Sequence, residues 1–460
     1  MEQKVELDAE VIRRLDHAGP RYTSYPTADR FVEAFGAEAY RTWAQKRNIG
    51  GILRPLSLYV HIPFCRSICF YCDCNKVVTR NRRKAGRYIK ALKQELAIQG
   101  ELFRDDPKVI QLHWGGAPSF LDPRQMRELM RAIQAHFRLL PAGEYSIEID
   151  PRAANEDTIA LLAELGFNRA SLGVQDFDPL VQKAVNRIQS EEETLNVLRA
   201  ARREGFKSIS IDLIYGLPHQ SLDGFECTLN KVIAMAPDRL SIYNYAHLPH
   251  VLKSQRRIGE AHLPDAPSKF QLLRLAIERM TAAGYLYIGM DHFARPEDEL
   301  AVAQRQGRLH RNFQGYSTYA NSDVVALGVS AIGMVGPTYS QNFRALEDYC
   351  DAIANRALPV MRGIELTPDD LARRAVIQAL LCHFGLSKDA IESAHLIDFD
   401  RYFATELAEL EAFAAKGWLT LEERWVAVTA KGRLLIRNIA MVFDKYLRAD
   451  QKRSRYSKVL

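Results

Sequence analysis

Tyr59-Val60-His61-Ile62-Pro63-Phe64-Cys65-Arg66-Ser67-Ile68-Cys69-Phe70-Tyr71-Cys72-Asp73-Cys74 is the stretch around which the rest of this 460-residue chain is organised. It holds four of the chain's seven cysteines within ten residues, straight after an apolar, strand-like run. Thiols set that closely hold a metal far more often than they fill a core. The spacing is C-x3-C-x2-C, with a fourth cysteine two residues on. Three thiolates on one short loop can each take one iron of a four-iron cubane, and the fourth iron is left without a protein ligand if Cys74 stays out. Iron-sulfur proteins that only carry electrons mostly supply four cysteines. An iron with an open position can instead bind a substrate, as a zinc with three protein ligands does. A zinc site is the competing assignment, but such sites usually draw two separated pairs of Cys or His, and no second pair follows downstream.

Outward from this loop the pattern is repetitive. Short β-rich runs alternate with helical stretches of a dozen residues or more, which places strands at 56–62, 109–114, 145–149, 169–174, 208–213 and 240–245. Between them lie helices such as 88–99, where Tyr88, Leu92 and Leu96 share a face and Gly100 is expected to supply the stop. Six strand-helix units predict a parallel sheet with right-handed crossovers, closed or nearly closed as a (β/α) barrel, with an open doubly wound sheet as the alternative. In a barrel, ligands sit at the C-terminal ends of the strands. Several strands end in polar residues spaced by two, hence on one face: Ser146, Glu148 and Asp150; Ser171, Gly173 and Gln175; Ser210 and Asp212; and Tyr59 with His61 just before the cysteines. Ser146 and Ser210 read as hydrogen-bonded filler. Carboxylates are rarely buried without a partner, so Glu148 and Asp212 read as ligand-binding. Gly115-Gly116-Ala117-Pro118-Ser119, after the second strand, lets the backbone approach a ligand.

Farther on, 289–296 and 310–316 are dense in His, Arg and aromatic residues, the composition for gripping a flat, carboxylated ligand. The glycine-rich run 328–333 is expected to return to the sheet edge. A boundary falls near Pro359, after which Thr367-Pro368-Asp369-Asp370 caps a new helix. The last hundred residues read as helical, with a hairpin near 418–428 and a final helix over 431–446, an arrangement resembling a winged helix. We read it as a covering or packing domain, since fold alone does not give function. At the other end, a short helix over 9–15 precedes Gly19-Pro20-Arg21-Tyr22-Thr23-Ser24-Tyr25-Pro26-Thr27, where two prolines and three hydroxyl residues forbid regular structure and predict an ordered arm or a tether. The net charge of +6 is modest and spread out, with the basic tail 452–458 read as a solvated end. A mild basic excess suits an anionic substrate. There is no export signal, and the longest apolar stretch, 324–335, is glycine-interrupted and too short to span a bilayer. Clustered, odd-numbered thiols then indicate a reducing cytosol. The expectation is a cytoplasmic monomer that engages neither membrane nor nucleic acid.

The cysteine loop resembles the signature of the radical S-adenosylmethionine (SAM) enzymes, in which the open iron binds the amino and carboxylate groups of SAM. Taken with Arg21-Tyr22-Thr23-Ser24-Tyr25-Pro26, Gln175-Asp176-Phe177, 212–218, Asp291-His292-Phe293 and 310–316, it resembles the oxygen-independent coproporphyrinogen III oxidases through nearly the whole chain. The resemblance implies an α/β fold: a partial (β/α)6 radical SAM barrel with its extension (53–358), an N-terminal arm over the active site (1–52), and a mainly helical, winged-helix-like C-terminal domain (359–460). It implies conversion of two propionates of coproporphyrinogen III to vinyl groups, giving protoporphyrinogen IX, with a [4Fe-4S] cluster, two SAM and a one-electron reductant such as flavodoxin or ferredoxin. One electron from the cluster would cleave SAM to methionine and a 5'-deoxyadenosyl radical, which takes a hydrogen from the propionate β-carbon before carbon dioxide leaves. Cys65, Cys69 and Cys72 would be the iron ligands. Tyr59, Tyr71, Glu148 and Ile332 would contact the SAM on the cluster, with Tyr59 and Glu148 as catalytic candidates. A second SAM would lie near Gln175, Arg187, Asp212 and Ala246, with Gly115, Gly116 and Ala117 at its edge. Two features depart from the family pattern: the usual Gly-Gly-Gly-Thr-Pro is one residue short here, and Asp73 replaces a frequent glycine.

Overall fold

The structure, a computed structural model, describes residue 5 and residues 19–47, 54–320 and 322–449. The expected helix over 9–15 and the basic tail 452–458 lie outside the described residues.

The alternation in the first strand sets the architecture. In β1 (Leu56–Ile62), Leu56, Leu58, Val60 and Ile62 are wholly buried in the main hydrophobic cluster, and Tyr59 and His61 alternate with them. β1 pairs in parallel with β2 (Lys108–Gly116), and the parallel ladder continues through β3 (Arg138–Ile149), β4 (Arg169–Gln175), β5 (Ser208–Tyr215) and β6 (Arg239–Asn244). An antiparallel pair, β7 (Leu286–Gly289) and β8 (His292–Ala294), is attached to β6 through β8. The chain then crosses to the other flank of β1. There β9 (Asp323–Leu327) pairs with it in parallel, followed by the antiparallel strands β10 (Ile332–Val335), β11 (Thr338–Asn342) and β12 (Val360–Glu365). Among the described residues these form one twelve-stranded sheet in the order β12-β11-β10-β9-β1-β2-β3-β4-β5-β6-β8-β7, whose ends do not pair, so the six-unit barrel is partial.

Three local expectations change in the tertiary context. The helix α1 (Arg82–Leu102), begun by Asn81 accepting from the Arg83 amide, runs through Gly100 and ends at Phe103. A Cβ on Gly100 would lie 2.7 Å from His136 Cβ on the next helix, so this glycine serves close helix packing, not termination. The glycine-rich run does not close at a sheet edge: it is the turn between β9 and β10, deep in the sheet beside β1. The final helix is broken, into Ile436–Met441 and Lys445–Ala449, because Asp444 Oδ1 accepts from the Tyr446 and Leu447 amides and starts a new helical turn.

In the C-terminal region, Thr367 and Asp370 form a reciprocal capping box at the head of helix Pro368–His383. Strand Trp425–Val428 is the middle of a small antiparallel sheet between Gly385–Ser387 and Leu419–Leu421. The arm packs against this region: Tyr22 Oη donates to Asp444 Oδ2 at 2.9 Å, Tyr25 Oη accepts from the Lys445 amide, and both rings are buried. Arg21 faces the other way, to Asp291 Oδ2 at 3.1 Å and the ring of Tyr243. No helix among the described residues is long and apolar enough to cross a membrane.

Candidate active site

The C-terminal ends of β1 to β5 open onto a cavity of about 360 Å³, within the range of small-ligand sites. Its lining includes Cys65, Cys69, Cys72 and Cys74 together with Glu148, Asp150, Gln175, Arg187 and Asp212. The cysteine loop is held from three directions. Phe70 N donates to Val185 O and Asn186 Nδ2 to Ile68 O, while Gln255 Nε2 ties Tyr71 O to Ala246 O. Lys76 Nζ donates to the carbonyls of Cys72 and Cys74. His61 Nε2 donates to Asn75 O at 3.0 Å. With that nitrogen protonated and burial keeping the ring neutral, His61 Nδ1 accepts from Tyr59 Oη at 3.1 Å.

The thiols suit a metal group with several ligating points. Among the described residues no three His, Cys, Asp or Glu side chains close on a single ion; the four cysteines line the cavity without converging on one point. Cys69 Sγ accepts from Arg187 Nη1 at 3.7 Å and Arg152 Nη2 at 3.8 Å, so two guanidiniums stand beside it. The Cys72 thiol is drawn down to about 7, first by the hydrogen bond from Cys74, with burial opposing and Lys76 assisting. Thiolates are the ligating form; burial pushes the Cys65 thiol up to about 12, so the fit to an iron-sulfur cluster rests on three thiols around one cavity with two guanidiniums beside Cys69.

Opposite the thiols, two carboxylates are differently held. Glu148 Oε2 accepts from the Gly116 amide at 2.9 Å and Oε1 meets His113 Nε2 at 3.2 Å; the other nitrogen of His113 is 2.6 Å from Ser146 Oγ. The His113 ring stacks on Tyr59 at 5.8 Å. Gly116 has φ +86° and no room for a Cβ, which would lie 2.5 Å from Ile62 O, so glycine is needed for the amide to reach Glu148. Asp212 is more enclosed: burial pushes its carboxyl up to about 6, against the hydrogen bond from Ser171 Oγ at 2.8 Å. Arg187 is fixed by Gly173 O at 2.6 Å and by Asp150, which Arg152 also grips through two bonds.

Over its full length the chain is 50% identical to the oxygen-independent coproporphyrinogen III oxidase of Pseudomonas aeruginosa, covering 99% of each. This chain belongs to the oxygen-independent coproporphyrinogen III oxidase family. The family member from Escherichia coli is 47% identical over 100% of this chain and 99% of its own. A solved structure described as coproporphyrinogen III oxidase from Escherichia coli, a radical SAM enzyme, superposes with a TM-score of 0.92 at 46% identity, over 96% of this chain and 100% of that one. Residues 59–232 match the Radical SAM superfamily and 366–435 the HemN C-terminal domain. The family makes this protein a radical SAM oxidoreductase, with a four-iron cluster and SAM as its cofactors.

Of the residues singled out from the sequence, Cys65, Cys69, Cys72, Tyr71, Gly116, Ala117, Glu148, Gln175, Arg187 and Asp212 line the cavity. Tyr59 and Gly115 stand one layer behind it, the glycine leaving space for the tyrosine ring, whose Oη lies 2.7 Å from where a Cβ would be. Ala246 reaches the cysteine loop only through Gln255. Ile332 packs on the cluster around Phe31, Tyr339 and Leu366. Sequence reasoning missed Lys76, His113 and Arg152. His113 shares the alternation of β2 and could have been read from it; Arg152 follows its strand in an irregular turn and carried no periodic signal.

Proposed function

We propose that this protein decarboxylates two propionates of coproporphyrinogen III to vinyl groups, giving protoporphyrinogen IX. The observation that carries this reading is the full-length match, arm and C-terminal region included, to relatives named for that substrate. Two SAM would be consumed, with release of two methionine, two 5'-deoxyadenosine and two carbon dioxide. A one-electron donor such as flavodoxin or ferredoxin would feed the cluster, and a separate acceptor would take one electron per propionate. We further assign a cytoplasmic monomer with an arm (1–52), a barrel and extension (53–358) and a C-terminal domain (359–460).

When bound, the cluster and SAM supply the one-electron chemistry that starts loss of carbon dioxide; the chain supplies orientation and exclusion of competing reactions. Cys65, Cys69 and Cys72 would hold the cluster, with Arg152 and Arg187 offsetting the negative charge at Cys69. Glu148, with one oxygen on the Gly116 amide and the other on His113, is oriented to accept a proton-bearing amine at the cavity face. Tyr59 fixes His113 by stacking and so fixes Glu148. Tyr71 and Ile332 complete the contacts we assign to the first SAM. Gln175, Arg187, Asp212 and Ala246 form those of the second, with Gly115, Gly116 and Ala117 at its edge. Arg21, held at Asp291 by an arm whose tyrosines are buried under the C-terminal domain, walls the mouth and keeps water from the reacting groups.

An anaerobic incubation of reconstituted protein with coproporphyrinogen III, SAM and a reductant tests the reading. Protoporphyrinogen IX and two 5'-deoxyadenosine per turnover are expected. Stable haem binding without decarboxylation would overturn the reading in favour of a haem-handling relative.

A further inference from the structure

We propose that a carboxylate seat, built on the buried guanidinium of Arg311, adjoins the cysteine cavity and takes a propionate of the substrate that is not reacting. The inference rests on the functional reading above and extends it to named residues.

Arg311 lies in the hairpin of His310–Asn312 and Gly315–Ser317 and is 4% exposed. Its Nε donates to Arg21 O at 3.4 Å and its guanidinium lies 4.9 Å over the Tyr316 ring, but Nη1 has no hydrogen-bond partner, and among the described residues no carboxylate forms an ion pair with it. The surroundings add positive charge. Arg21 is 3.1 Å from Asp291, and Arg437, buried by the arm, donates to Gly19 O and Pro20 O. Arg21 and Arg311 both act on Arg437, whose pKa falls to about 10 through burial first and then through these two like charges. Among the described residues, three guanidiniums thus gather near one directly paired carboxylate, Asp291, with Asp73 acting on Arg21 from farther off. Burying an unpaired cation is costly unless a counter-charge arrives, and a planar fork with a free edge is the donor geometry that a carboxylate matches.

The register connects this region to the cavity. Gly173 on β4 is paired with Asp212 on β5, Asp212 with Ser241 on β6, and Ser241 with His292 on β8. Neighbours in register share a face, so Asp212 and His292 stand in one row inside the barrel, two strand spacings or about 10 Å apart. Ser241 is in register with Asp212 and two residues before Tyr243, so all three share the face that Asp212 presents to the cavity. The rings of Tyr243 and Tyr316 meet the His292 ring edge-on at 5.9 and 5.1 Å, and burial, Arg311 and Arg21 hold the imidazole neutral. The seat thus has aromatic walls and cations, and Tyr243 shares the inner face of the barrel with Asp212, which lines the cavity. A flat macrocycle bearing several carboxylates can lay its ring along Tyr243 and Tyr316, with one side chain on Arg311 and another at the cavity. A monocarboxylate would leave one end empty.

The test compares coproporphyrinogen III with its tetramethyl ester, each binding anaerobically to reconstituted, SAM-loaded enzyme. The wild type should prefer the tetra-acid. Arg311→Met should weaken the tetra-acid by about tenfold or more, the size of one charged hydrogen bond, and leave the ester within about twofold. Arg311→Lys, which keeps the charge and loses the fork, should give a severalfold loss for the acid and serves if the methionine variant does not fold. Unchanged acid binding in whichever variant folds, or equal losses for acid and ester, would overturn the seat alone. A wild type indifferent to acid and ester would overturn the functional reading with it.

Discussion

Asp212→Asn offers a measurement in which size and pH dependence are both fixed by the site. The side chain is half-buried at the cavity wall, accepts from Ser171 Oγ at 2.8 Å, and has its carboxyl raised to about 6 by desolvation. As the acceptor we assign to a hydroxyl or ammonium of the second SAM, it must be ionised to contribute fully. Replacing it with asparagine keeps the shape and removes a charged hydrogen bond of about 1.5–3 kcal/mol, which is about tenfold to a hundredfold in affinity. The sign with pH follows from the raised value. Above about pH 7 the group is ionised and the full difference between wild type and variant is present; as pH falls through about 6 the wild type protonates and the difference shrinks. With a pKa of about 6, about a quarter of the groups are ionised at pH 5.5, so the ratio of wild-type to variant affinity should fall about fourfold between pH 7.5 and 5.5. Anaerobic equilibrium dialysis of SAM against both reconstituted proteins measures that ratio, and other titrating groups common to both proteins cancel in it. Equal affinities at pH 7.5 in proteins with equal iron, or a ratio flat with pH, would refute the reasoning.

Alanine at Cys65, Cys69 or Cys72 should abolish the visible absorbance of the reconstituted cluster, whereas Cys74→Ala should keep it; loss in Cys74→Ala would make Cys74 a ligand. Deleting residues 1–28 should leave cluster absorbance and reductive SAM cleavage measurable but remove product, as read by chromatography; full product formation would show that the arm does not wall the site. Glu95, fully buried, accepts from Gly328 N, Tyr349 Oη and Asn342 Nδ2, and burial raises its carboxyl to about 7. An acid raised in the folded state binds more protons there than when unfolded. This group's contribution therefore declines by about 3 kcal/mol as pH rises from about 4.5 through 7. Glu95→Gln should flatten that dependence in thermal melts between about pH 5 and 8, and an unaltered profile would count against the raised value.

The cysteine spacing, the alternation of β1 and the capping box at Thr367 are short-range properties, and each was legible because the residues that cause it are neighbours in the chain. The same holds for Glu148 and Asp212, whose shared facing with Ser146 and Ser210 follows from period-two counting. Gly100 shows where that logic stops. Its local reading as a helix stop fails because His136, on the next helix, fills the space a side chain would need. The broken final helix differs in kind, since Asp444 both restarts the helix and takes the hydroxyl of Tyr22 from the other end of the chain.

The sequence alone therefore determined the fold class, the cysteine loop and the inward facing of the two carboxylates, because periodicity and spacing are written within a few residues of one another. The surroundings of those groups were decided by tertiary structure. Arg152, in the turn after β3, and Arg187, past the helix that follows β4, converge on Cys69, and Lys76 turns back on its own loop. Arg21, Asp291, Arg311 and Arg437 come from four distant segments to share one buried region. Charge balance in an interior depends on which side chains meet in space, and no window along the chain contains all the members of such a set.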